Sequence, residues 1–187
     1  MSTALLQSAL SKYLVAAMLT WAPPSIHAYL GQTEEIVRDR YEGIADDLAA
    51  VALDPNEKPL FAGPTGREQS AVFIDAWMSY ESGGFRNDVD TVEGTGDSGN
   101  SHCLAQVQLR RGEVMKDRKD CFRLAFARMR ESFAACASLP LKQKGSVYAA
   151  GNCTQGRHAS EIRMNRAMTW WASSPWLPPV AEVASGS

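Results

Sequence analysis

A chain of 187 residues with 45% apolar and 21% charged residues has the composition of one folded domain with a real core, which excludes intrinsic disorder. Its formal net charge of −2 gives no electrostatic footprint for a nucleic-acid partner, although arginines gather late in the chain. Its apolar runs are too short to span a bilayer, so an integral membrane protein is not expected.

Residues 3–20 carry Leu5, Leu6, Ala9, Leu10, Tyr13, Leu14, Ala17 and Met18 at spacings of three and four. That is one face of a helix, which Pro23 and Pro24 end. Lys12, the apolar run 13–22 and the small residue Ala28 imitate a secretory signal, while the residues before Lys12 lack a basic character. Residues 1–32 are read as a helix that packs on the chain or docks on a partner.

Thr33 is the expected N-cap of a second helix, with Glu34 and Glu35 in the first turn, where the dipole favours negative charge. Val37, Tyr41, Ile44, Leu48 and Val51 form its apolar stripe, and Asp54-Pro55 stops it. Its acids Asp39, Glu42, Asp46 and Asp47 fall on the solvated face. The Pro- and Gly-rich stretch 54–66 is a loop, and Thr65 with Glu68 has the pattern of a capping box opening a third helix.

In that helix Phe73, Trp77 and Glu81 are four apart and stack along one face, which puts Glu81 at the mouth of the core. A carboxylate at a helix C-terminus is disfavoured by the dipole. With apolar flanks it tends to keep its proton, as a general acid must. The competing account is an ordinary surface glutamate.

Beyond it, Gly83, Gly84, Gly94, Gly96 and Gly99 interleave with Asp88, Asp90, Glu93 and Asp97, a pattern of turns joining short strands. Residues 103–109, with Leu104, Val107 and Leu109 apolar, have the length of a strand. Over 121–137 the positions Cys121, Leu124, Ala125, Met129, Phe133, Cys136 and Ala137 follow helical spacing, leaving Arg123, Arg130 and Glu131 on the solvated face. A linker at 140–145 leads to the apolar segment SVYAAG over 146–151. The last helix is expected over 160–171 with Ile162, Ala167 and Trp170 or Trp171 inward, followed by an extended tail over 173–187.

Cys103, Cys121, Cys136 and Cys153 are an even set without the close paired spacing of a zinc site. Disulfides and an oxidising compartment are favoured, with four buried thiols as the alternative. Cys121 and Cys136 lie on one helix about 22 Å apart at ~1.5 Å per residue and cannot bond to each other. Of the three pairings, joining neighbours in chain order gives Cys103 with Cys121 and Cys136 with Cys153. His102 stands alone as a local hydrogen-bonding residue, and His27 and His158 are far apart, so no metal or other cofactor is expected.

Three segments then stand out in order: Glu81-Ser82-Gly83-Gly84-Phe85, Ser101-His102-Cys103-Leu104-Ala105-Gln106-Val107, and Val147-Tyr148-Ala149-Ala150-Gly151. Over residues 67–172 the set resembles the lysozyme-like glycosidase superfamily, in its lytic transglycosylase branch. The first segment is similar to the E-S-x-F/N helix end that carries the catalytic glutamate. The second is similar to the groove strand S-x-G-L-M-Q-I, and the third to A-Y-N-A-G. Asp120-Cys121 is similar to the D-P-C of secretion-system transglycosylases. The chain departs from the pattern at Cys103, where the family keeps glycine for close approach, at Ala105 in place of Met, and at Ala149 in place of Asn.

The resemblance implies a mainly α, lysozyme-like α+β fold over 33–172, with a small β-hairpin region beside a catalytic groove. It implies cleavage of the MurNAc–GlcNAc β-1,4 bond of peptidoglycan with Glu81 as acid and then base, assisted by the substrate's N-acetyl group. Ser101, Gln106 and Tyr148 become substrate-binding candidates. A hydrolytic lysozyme would need a second carboxylate, for which Asp90, Glu93 and Asp97 are candidates. Glu81, Asp90, Thr91 and Gly94 are also similar to the acid and D-T-E-G hairpin of small phage lysozymes, with Val92 inserted. Turn chemistry is the competing account of these acids. A third reading is a largely structural, wall-binding component of a virion or secretion apparatus, assembled through the N-terminal helix and C-terminal tail. The location implied is the cell envelope or a virion.

Overall fold

The computed structural model describes residues 2–176, with the backbone alone for Asp97. The part of the expected tail from residue 177 onward lies outside them. Over the described residues the chain is mainly helical with one small antiparallel sheet.

Helix α1 spans Thr3–Trp21, capped by the Ser2 side chain, which accepts from the Leu5 N–H. Its residues Leu10, Leu14, Ala17 and Met18 are fully buried, packed against helices α2, Glu34–Leu53, and α3, Gly66–Glu81. The N-terminal helix is therefore built into the same core as the rest of the chain.

Thr33 caps α2, its hydroxyl accepting from the Ile36 N–H at 3.3 Å, and the stripe Val37, Tyr41, Ile44, Leu48 and Val51 is buried as expected. Two of the α2 acids assigned to solvent also make tertiary contacts, Asp46 while exposed and Asp47 while half-buried. Asp46 accepts from Ser11 at 2.5 Å, and Asp47 pairs with Arg118 at 2.9 Å.

The capping box expected at Thr65 does not form. Thr65 makes no side-chain cap bond and Glu68 is buried. Arg67, in the first turn of α3, serves the preceding helix end, reaching back to donate to the carbonyls of Ala52, Asp54 and Glu57 at 3.0, 2.6 and 2.7 Å. This collects the end of α2 and the loop beyond it, satisfying carbonyls that a helix terminus leaves open.

The sheet has the order β1, Gly94–Gly96, β2, Ser101–His102, and β3, Val107–Gln108. Ser101 pairs with Gln108 and His102 with Val107. The strand expected over 103–109 is thus only its two-residue end, because residues 103–106 make the turn of the β2–β3 hairpin. Cys103 and Gln106 adopt φ of 57° and 48° there, conformations that cost an L side chain about 1–3 kcal/mol each and persist only where surroundings enforce them.

Helix α4, Arg118–Ala135, starts at an Asp117 cap whose side chain accepts from the Asp120 N–H at 2.9 Å. Helices α5, Ser146–Ala150, and α6, Arg157–Trp171, follow. In α6 the inward residues are Ser160, Met164, Ala167 and Trp171, a 4-3-4 spacing. Ile162, expected inward, is exposed because it falls off that stripe. Among the described residues no helix is long and apolar enough to cross a membrane.

Two disulfides join Cys103 to Cys121 and Cys136 to Cys153, the neighbour pairing. The first fastens the hairpin turn to the first turn of α4, where it holds Cys103 in its positive-φ conformation. Closing a loop of this length stabilises the fold by about 3 kcal/mol in the chain-entropy model. Replacing Cys136 and Cys153 together by Ser is expected to lose about that much in urea unfolding, and non-reducing peptide mapping should recover both linkages with no free thiol.

Candidate active site

Glu81 is the last residue of α3, and the sequence after it dictates how the helix stops. The Gly84 N–H donates to the Ser79 carbonyl at 2.9 Å and the Gly83 N–H to Tyr80 at 3.3 Å, with Gly83 and Gly84 at φ of 60° and 88°. This is a Schellman closure. Ser82 completes it, donating to the Met78 carbonyl at 2.6 Å and accepting from the Phe85 N–H at 2.7 Å. At Gly84 the φ of 88° is what demands glycine; a Cβ there would also press on Ile26 Cδ1 at 2.8 Å, the mobile end of an exposed side chain. Phe85 is fully buried edge-on against Tyr41, 5.5 Å between rings. Each of the four residues after Glu81 therefore has a mechanical reason, and together they fix the height at which Glu81 leaves the helix.

The flank of Glu81 is not wholly apolar. Arg163 of α6 pairs with it at 2.9 Å, with side chains 16% and 19% exposed. The guanidinium lies over the faces of Trp77 and Tyr80 at 5.4 and 5.3 Å, a cation–π arrangement that fixes it in place. Trp77 meets Tyr148 edge-on at 5.6 Å, and the Tyr148 hydroxyl donates to the Ala105 carbonyl at 2.7 Å. One set of contacts thus runs from α3 through α5 to the hairpin turn. A Cβ at Gly145 would lie 2.2 Å from the Trp77 ring, so glycine just before α5 is what lets that helix approach. Burial holds the Tyr148 hydroxyl well above its ordinary pKa, and the Glu81 charge adds to the effect, as two groups close in low dielectric must.

A groove of about 640 Å³ opens over this set, lined by Glu81, by Ser101 and Gln106 from the hairpin, and by Tyr148 from α5. Four residues expected from sequence therefore share one cavity. Gln106 also closes its own turn, donating from Nε2 to the Cys103 carbonyl at 2.8 Å.

Asp90 is not among the groove's lining residues. It faces a second hollow of about 230 Å³ with Asp117 and Arg118, 8% exposed and held bidentately by Arg118 at 2.9 and 2.6 Å. Glu93 is exposed, its backbone N–H donating to Thr91. Asp97 lies in the short turn Asp97–Gly99, its side chain outside the described structure. His102 makes the local contact expected of it, Nδ1 to the Val92 carbonyl at 3.0 Å.

Sequence reasoning missed Arg163, Arg110, Arg128 and Glu131, the last three of which line the groove. Arg163 had a usable signal, since it sits next to Met164 on the buried 4-3-4 stripe. Glu131 had none, because its role depends on where the loop carrying Arg110 folds back. Comparison with protein-family models, curated proteins and solved structures returned no match.

Proposed function

We propose that the chain is a peptidoglycan-cleaving glycosidase of the lytic transglycosylase type, acting on the MurNAc–GlcNAc β-1,4 bond. The observation that carries this is the convergence of Glu81, Ser101, Gln106 and Tyr148, from three segments distant in sequence, on one groove. In this reading Glu81 protonates the glycosidic oxygen as the bond to C1 breaks. The carboxylate left behind, oriented by Arg163, then takes the proton of the muramic acid 6-hydroxyl as that oxygen bonds to C1. The proton that Glu81 gives to the leaving oxygen is replaced by the one it takes from the 6-hydroxyl, no water is added, and the product carries a 1,6-anhydro ring.

Asp90 gives little support to the hydrolytic alternative, since Arg118 occupies both its oxygens in a separate hollow. Two disulfides support an extracytoplasmic or virion-borne protein. Mass spectrometry of products released from purified sacculi tests the reading. Anhydro ends, one water lighter than reducing ends, are the expected result. Reducing ends would identify a hydrolase instead, and the absence of soluble muropeptides would leave a structural or wall-binding role.

A further inference from the structure

Besides Glu81, the charged side chains among the described lining residues of the groove are Arg110, Arg128 and Glu131. They are not equivalent. Arg128 is 13% exposed and tied to Glu113, to Glu131 at 3.5 Å and to the Gln108 carbonyl at 3.4 Å, so it is a fixed part of the wall. Arg110 and Glu131 form a bidentate pair at 2.9 and 2.5 Å, yet are 60% and 45% exposed.

An ion pair so solvated is held weakly, while its fork geometry is the one that best receives a carboxylate. If a ligand carboxylate takes the place of Glu131 on Arg110, Glu131 keeps Arg128 as its counter-ion. The exchange therefore strands no charge. A glycan made only of neutral amino sugars can offer this fork hydroxyl and amide oxygens but no carboxylate.

We propose that Arg110 reads a carboxylate carried on the substituent of the bound glycan, with Glu131 holding its place until the strand arrives. This rests on the peptidoglycan reading of the groove and adds to it the residue that tells strands bearing an acidic substituent from neutral N-acetylglucosamine polymers. Two sources of that carboxylate exist, the lactyl group of a peptide-free muramic acid and the free carboxylates of a stem peptide.

Calorimetry on the full chain carrying Glu81→Gln, which prevents turnover, separates them with three tetrasaccharide probes. These are a neutral N-acetylglucosamine oligomer, a peptide-free GlcNAc–MurNAc oligomer and its peptide-bearing counterpart. At least one acidic probe is expected to bind about tenfold more tightly than the neutral one, and the one that does identifies the source. Adding Arg110→Met should bring its affinity down to that of the neutral oligomer. Equal affinity for all three probes, no binding of any, or discrimination that survives Arg110→Met would overturn the proposal. The enzymatic reading is judged separately, by muropeptide release from sacculi with the wild-type chain. Release without discrimination sinks only the role of Arg110, and discrimination without release sinks only the enzymatic reading.

Discussion

The Glu81→Gln chain is expected to lose clearing of a murein gel by about 10³-fold or more, the scale of a general acid–base contribution, while its circular dichroism and thermal transition stay close to wild type. The substitution keeps the shape of the side chain, and the amide oxygen can still accept from Arg163, which lies 2.9 Å from the carboxylate. The Schellman closure that ends α3 uses backbone groups and Ser82, not the Glu81 side chain, so the helix end should not move. What disappears is the capacity to give and take a proton. Activity retained in this variant would remove Glu81 from the mechanism, whatever the groove looks like.

The second large effect concerns stability. Asp75 sits on the inner face of α3, 0% exposed, and neither carboxylate oxygen has a hydrogen-bond partner. Burial pushes its carboxyl well above the ordinary 3.8, with only Arg166 pulling the other way. Because the folded value is raised, the contribution of this group is fully favourable below about pH 4. It is lost progressively as pH rises through the folded value, since the unfolded chain releases the proton first.

Leucine matches aspartate closely in shape and removes the buried polar atoms. Asp75→Leu is therefore expected to raise stability at neutral pH by about 1–3 kcal/mol, or several degrees in melting temperature for a chain of this size. Relative to the variant, the wild type should fall behind as pH climbs from 4 to 8 in urea titrations. A variant that is less stable than wild type by the same amount at every pH would mean that Asp75 has a partner in solution.

The helices were legible because their apolar residues recur at helical spacing and their stops are chemical. Thr33, Asp54-Pro55 and the glycines after Glu81 mark boundaries by local physics alone, which survives folding unchanged. The site was legible where it sits at such a boundary, as Glu81 does. It was illegible where a role depends on distant partners. The Thr65–Glu68 pattern is a local signal, but folding buries Glu68 and leaves Thr65 without a side-chain cap bond, an outcome that the pattern alone does not contain. Residues 103–106 looked like a strand because apolar content was read without the turn that Cys103 and Gln106 impose. Asp90 is a candidate by its place near Glu81 in sequence, and its bidentate contact with Arg118, 28 residues on, in a separate hollow is one that no local pattern announces.

The placement of the two disulfides also governs how the groove can behave mechanically. Cys121 lies in the first turn of α4 and Cys136 caps its end, so one rigid rod is stapled at both ends, on one side to the hairpin turn and on the other to Cys153 just beyond α5. The jaws that face Glu81 are carried by those two anchorages, and α4 acts as the fixed bar of a caliper. The spacing between those two anchorages is set by the length of α4, whereas Leu109 and Arg110 line the groove from a loop outside both. On the proposed function, a glycan strand is expected to meet a groove whose hairpin turn and α5 end keep their spacing.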